Sequence, residues 1–111
     1  MKKLVLSIKF TTNDENRDAF KEILTDLFDV ISEEESFESA SIVEAVEDPN
    51  ILMVYETWNI TVAKFMAQQM TRVYRLPFEK ALIDLKVDRE PGVFQALKEW
   101  HADQQMQSVV A

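Results

Sequence analysis

The chain has no cysteine, a single histidine, a single glycine and three prolines among its 111 residues. Without thiols it forms no disulfide, and with His101 as its only imidazole it cannot assemble the usual zinc, haem-thiolate or iron–sulfur sites from its own side chains. Carboxylates remain as weak ligands for Mg²⁺. A phosphate-cradling loop motif is also missing. Basic charge is in short supply: 12 Lys and Arg against 20 Asp and Glu leave a formal charge of −8, which repels nucleic-acid backbones and anionic lipid surfaces. The expected partners therefore include no nucleic acid and no membrane. There is no long apolar run either. The stretch after Met1-Lys2-Lys3 is broken by Ser7 and Lys9 and is followed by no small-residue cleavage site, so it reads as a strand and the expected location is cytoplasmic.

What is present is core material. Hydrophobic residues make up 47% of the chain, with seven Phe, two Trp and two Tyr, enough for one packed domain. Leu4, Leu6, Ile8 and Phe10 alternate with Val5, Ser7 and Lys9 at the period of a strand. Thr12 and Glu15 have capping-box spacing, and Phe20, Ile23, Leu24, Leu27 and Ile31 then recur at helical spacing, predicting a helix from about Asn13 to Ile31. The acidic run Glu33-Glu34-Glu35 reads as a solvated loop. A strand from Phe37 to Glu47, the turn residues Asp48-Pro49-Asn50 and a strand from Ile51 to Trp58 form a predicted hairpin. Asn59 or Thr61 caps a second helix with Val62, Phe65, Met66, Met70, Val73 and Tyr74 on one stripe until Pro77, followed by a helical piece over Phe78 to Asp84. Leu85 to Asp88 reads as a short fourth strand stopped by Glu90-Pro91-Gly92, and Val93, Phe94, Leu97 and Trp100 as the face of a final helix.

The element order β-α-β-β-α-β predicts an α+β fold of the ferredoxin-like type over residues 1–90, with 91–111 as a C-terminal helical extension. Both crossovers fall on one side of the sheet, so the other side stays bare. Ile51 to Tyr55 put apolar side chains on both faces of their strand, and a bare apolar face is a partner surface. Pairing with a second copy of the chain is the simplest solution.

Glu56 and Trp58, two residues apart on a strand that runs into a helix, form an E-x-W motif. The segment Asn50 to Leu82 built around it resembles the antibiotic biosynthesis monooxygenase family, and the likeness extends more weakly over the first 88 positions. The resemblance implies a dimeric α/β barrel. It further implies O₂-dependent oxidation of quinols or other electron-rich aromatic molecules without metal or flavin, so that no cofactor is expected. Two departures stand out. Many members carry a histidine on the helix after the tryptophan, where this chain reads Phe65-Met66-Ala67-Gln68-Gln69, which leaves no axial ligand for the haem-degrading chemistry of a related branch. Some carry an asparagine four residues before the tryptophan, where this chain has Val54.

Oxygenation without a cofactor needs a base, donors for a developing oxyanion and a dry apolar pocket. Glu56 is the candidate base, since burial disfavours its charged form and brings its pKa toward a useful range. Trp58, Phe65, Met66 and Tyr74, together with Met70, are the candidate substrate contacts. Each has a structural alternative: Glu56 can accept hydrogen bonds or pair with Arg72 or Arg75, and the aromatic and Met residues can be plain core. His101 is expected to be exposed. Two functions follow: a monooxygenase for a small aromatic molecule, or a non-catalytic dimeric domain of the same fold that binds a small molecule or a partner.

Overall fold

The computed structural model describes residues 2–102. The chain runs β1 (Leu4–Thr11), α1 (Arg17–Ile31), β2 (Phe37–Glu44), β3 (Ile51–Trp58), α2 (Val62–Lys64), a π-helical turn (Phe65–Gln69), a 3₁₀ turn (Val73–Arg75), α3 (Leu76–Asp84) and β4 (Asp88–Gln95). The strands form one antiparallel sheet in the order β2-β3-β1-β4, the ferredoxin-like arrangement. No helix among the described residues is long and apolar enough to cross a membrane.

Register decides which side chains meet the helices. Leu4, Leu6, Ile8 and Phe10 lie opposite Trp58, Glu56, Val54 and Leu52, so one face of the central strands is almost wholly apolar. Phe20, Leu24, Leu27 and Ile31 of α1 and Phe78 and Leu82 of α3 bury against it. Two aromatic clusters anchor the layer. Phe10, Phe20 and Phe78 meet with ring centroids 5.0 to 6.0 Å apart. Trp58 stands edge-on to Phe37 at 5.4 Å and to Phe65 at 5.1 Å.

The start of α1 departs from the capping-box expectation. Asn13 Oδ1 accepts the N–H groups of Glu15 and Asn16, Asn16 Oδ1 accepts the Asn13 N–H, and the helix begins at Arg17 instead of Asn13. Thr12 is not a cap; its N–H and hydroxyl both donate to the Asn50 carbonyl at 2.8 Å, tying β1 to the hairpin. The buried Asn16 also donates through Nδ2 to the Leu85 carbonyl at 2.7 Å, joining α1 to the end of α3. Asn16→Ala is therefore expected to cost about 1–3 kcal/mol in chemical denaturation. Glu15→Ala, at an exposed position, should change stability by less than about 0.5 kcal/mol; equal losses at both would restore the capping box.

The second helix is also different from its periodic pattern. Thr61 caps it as expected, its hydroxyl accepting the Lys64 N–H. After three residues, however, the helix widens, with the Met70 N–H reaching the Phe65 carbonyl five residues back. Arg72 is extended, at φ −61° and ψ 130°, and restarts the chain toward α3. The stripe is lost: Phe65 is buried, but Met66, Met70 and Val73 are exposed.

The expected stop at Glu90-Pro91-Gly92 and the expected helix over Val93, Phe94, Leu97 and Trp100 are corrected. Leu85 to Val87 close α3, with Lys86 in the left-handed region (φ 58°) and the Lys86 and Val87 N–H groups donating to the Ile83 and Leu82 carbonyls. The strand then runs straight through Pro91 and Gly92 to Gln95. Pro91 is tolerated because β4 is an edge strand. The Ala96 N–H donates to the Lys3 carbonyl, which assigns the ladder bonds to the odd residues of β1. Pro91, opposite Ile8, thus turns its nitrogen to the free edge. Gly92 sits opposite Ser7 under the Phe94 ring, where a Cβ would stand 2.7 Å from a ring carbon. Leu97 and Trp100 are exposed and outside any helix, and the rest of the expected extension, 103–111, lies outside the described residues.

Candidate active site

A cavity of about 330 Å³ lies between the sheet and the helical layer, spanning the two aromatic clusters. That volume is at the small end of ligand pockets. Leu6, Ile8 and Phe10 of β1 form its floor, α1 contributes Leu24, Leu27 and Ile31, and Phe65 and Phe78 close it from above. Its mouth is ringed by exposed apolar side chains, among them Met66, Met70, Leu76 and Val93.

Four charged side chains line this apolar space: Glu56, Arg75, Glu79 and Arg89. Glu79 and Arg89 neutralise each other in a two-pronged ion pair at 2.6 and 2.8 Å, which links α3 to β4. Glu56 stands alone on β3, only 3% exposed. Residues two apart on a strand share a face, and the Trp58 indole Nε1–H uses that geometry to donate to Glu56 Oε1 at 3.0 Å. Burial pushes the Glu56 carboxyl above its ordinary value, and the Trp58 hydrogen bond and the charge of Arg75 offset this only in part.

The two arginines considered as partners of Glu56 have separate fates. Arg72 pairs with Glu34 at 3.1 Å, and Tyr74 donates its hydroxyl to the same carboxylate at 3.2 Å. Burial raises the Glu34 pKa, but the hydrogen bonds and charge of Arg72, with Gln69 and Tyr74, outweigh it and hold the group below the usual carboxylate range. Arg75 forms no ion pair among the described residues. Its Cζ lies 5.8 Å from the centroid of Phe65 and 5.9 Å from that of Tyr74, and its Nε and Nη2 are buried without a hydrogen-bond partner.

Of the side chains selected from sequence, Glu56, Phe65, Met66 and Met70 line the cavity. Trp58 is fully buried behind Glu56 and reaches the cavity only through its hydrogen bond to that carboxylate. Tyr74 faces Glu34, and Val54 is wholly buried in the core. His101 is exposed. Sequence reasoning gave no reason to single out Arg89, Glu79 or the β1 floor, and it treated Arg72 and Arg75 as equivalent.

The molecule is therefore a ferredoxin-like α+β domain with a cavity that brings together a buried carboxylate and a guanidinium without an ion-pair partner among the described residues. Residues 4–59 match the family model for antibiotic biosynthesis monooxygenases, and the chain belongs to that family. No curated protein sequence matches it. Among solved structures it is similar to a candidate antibiotic biosynthesis monooxygenase from Deinococcus radiodurans, at 15% identity and a TM-score of 0.79 over 90% of this chain and 98% of that one. It is similar also to SnoaB, a cofactor-independent oxygenase from Streptomyces nogalater, at 16% identity and a TM-score of 0.76 over 89% and 97%. A Mycobacterium tuberculosis protein aligns at 15% identity with a TM-score of 0.76 over 87% and 97%. At these identities the likeness is one of fold.

Proposed function

We propose that this protein is a cofactor-independent monooxygenase that uses O₂ on a quinol or another electron-rich aromatic small molecule. The observation that carries the reading is Glu56: a lone, buried carboxylate of raised pKa at an apolar cavity of ligand size. Ionised Glu56 takes the proton of a bound phenol, leaving an electron-rich ring carbon that reacts with O₂ to give a peroxide anion, which takes the proton back from Glu56 as the hydroperoxide. Loss of water then leaves a carbonyl. One oxygen atom enters the product, the other leaves as water, and the substrate supplies all the electrons. Apolar walls keep bulk water from the anion, and the Trp58 N–H fixes the carboxylate rotamer.

The test is O₂ uptake with a series of quinols. Uptake proportional to protein, with one carbonyl formed per O₂ consumed, supports the reading. Ligand binding without uptake assigns the alternative, a non-catalytic binding domain; the engagement of Glu56 Oε1 by Trp58 is the observation that favours that second reading.

The same proposal includes a homodimer. The sheet face away from the helices presents Val43, Tyr55 and Phe94, each 43–55% exposed, beside half-buried Val5 and Met53. Ion pairs of Lys3 with Glu38 and Glu99 and of Lys9 with Glu90 border these apolar side chains. The double change Tyr55→Asp, Phe94→Asp is expected to convert a dimer to a monomer in sedimentation analysis, because two like charges would be buried at one interface. An unchanged mass would move the interface elsewhere.

A further inference from the structure

Arg75 is costly where it stands. Among the described residues, two of its nitrogens are shielded from solvent with no acceptor, and its charge meets no carboxylate in an ion pair. A guanidinium presents its donors in a rigid fork suited to an oxyanion, and the rings of Phe65 and Tyr74 restrict this one to the cavity wall. The other charges around it are accounted for. On α3 and β4, Glu79 and Arg89 hold each other; Glu34, after α1, is taken by Arg72 and Tyr74; on β3, Glu56 is turned to Trp58. When Glu56 is neutral the cavity therefore carries one uncompensated positive charge, beside the mutually neutralised Glu79 and Arg89.

We propose that Arg75 is the specificity-determining residue of this cavity, selecting aromatic ligands that bear an acidic oxygen and holding that oxygen as the phenolate or enolate. The inference rests on the cavity being the ligand site, as in the function proposed above, and adds what the ligand must carry. Arg75 supplies the missing counter-charge and donors, while Phe10, Phe65 and Phe78 receive the ring. Glu56 and Arg75 then divide the work: the carboxylate accepts the proton and the guanidinium keeps the anion. A ligand of the same shape whose oxygen is methylated has no proton to give and leaves Arg75 unsatisfied.

The experiment uses 4-nitrophenol, whose phenolate is coloured and which O₂ does not consume, with 4-nitroanisole as its methylated counterpart. Titrated into the full chain, 4-nitrophenol is expected to bind as the phenolate at a pH where most of the free phenol is neutral, and 4-nitroanisole to bind more weakly. Arg75→Met keeps an unbranched apolar stem and removes the charge and the donors. It should weaken phenolate binding by about 10- to 100-fold, the loss of a charge-assisted hydrogen bond, and abolish the shift in ionisation. Arg75→Lys should retain part of both. Glu56→Gln should leave phenolate binding intact or tighter, since it removes the one competing carboxylate. Lys21→Met, which removes a cation paired with Glu44 outside the cavity, should change neither. A phenol bound with unshifted ionisation, or a shift kept in Arg75→Met, overturns the proposal. If Arg75→Met proves unfolded by circular dichroism, the comparison of 4-nitrophenol with 4-nitroanisole on the unaltered protein decides it. Because no step here consumes O₂, phenolate selection without quinol oxidation would refute the oxygenase reading alone, and oxidation without phenolate selection would refute this one alone.

Discussion

Glu56→Gln is expected to lower O₂ uptake with any accepted quinol by about 10²–10⁴-fold, the usual contribution of a positioned general base. Glutamine keeps the shape and an oxygen that can accept the Trp58 Nε1–H, so the loss would report proton transfer and not collapse of the site. The same variant has a signature in stability. Glu56 has its pKa raised in the folded protein, chiefly by burial. Its contribution to stability is therefore fully present below the ordinary carboxylate pKa of the unfolded chain and is lost as pH rises through the folded value. Thermal unfolding followed across that window should show the unaltered protein losing stability relative to Glu56→Gln as pH increases. Parallel curves for the two proteins would mean that Glu56 ionises as easily folded as unfolded, and its candidacy as a tuned base would fail.

Trp58→Ala should be the most destabilising single change, by about 3–5 kcal/mol in urea denaturation. The indole is wholly buried and stands edge-on to both Phe37 and Phe65, so its removal opens a cavity shared by β2, β3 and the π-helical turn. It also removes the Trp58 hydrogen bond to Glu56, and the carboxyl pKa should rise further as a result. Trp58→Phe separates the two effects. It restores most of the ring volume and should recover much of the stability, but it leaves Glu56 without its donor. A loss under about 1 kcal/mol for Trp58→Ala would show that the cluster collapses around the gap and that the tryptophan serves the site more than the fold.

The parts of the fold legible in the sequence were those where one local pattern dominated. β1 and β3 were read at nearly their true bounds, since alternation and a continuous apolar run leave little choice, and α1 carries an unbroken helical stripe. β4 was not legible because proline and glycine are local stop signals, and only the tertiary fact that β4 lies at an edge removes the objection to Pro91. The second helix was misread for a related reason. Its stripe of Val62, Phe65, Met66 and Met70 has core spacing, yet a π-helical turn breaks the register and leaves the methionines at a cavity mouth. In the site, Glu56 could be selected because a carboxylate on a buried strand face is rare and Trp58 shares that face. Arg75 could not, because Arg72 and Arg75 differ only in which one Glu34 intercepts, and that carboxylate lies some forty positions earlier in the chain.

Pro91 has a consequence for how copies of the chain can meet. Its ring nitrogen occupies, on the outer side of β4, the place where a docking strand would look for a donor. At the opposite border of the sheet, β2 carries a register shift between Phe37 and Ser39 that breaks the regular spacing of its own outward groups. Neither border therefore offers an uninterrupted template, and end-on recruitment of further strands, the first step toward ribbons and fibrils, is discouraged at both. In the homodimer proposed above, association would instead use the broad surface of the sheet, where two copies would satisfy each other and growth would stop at a closed pair.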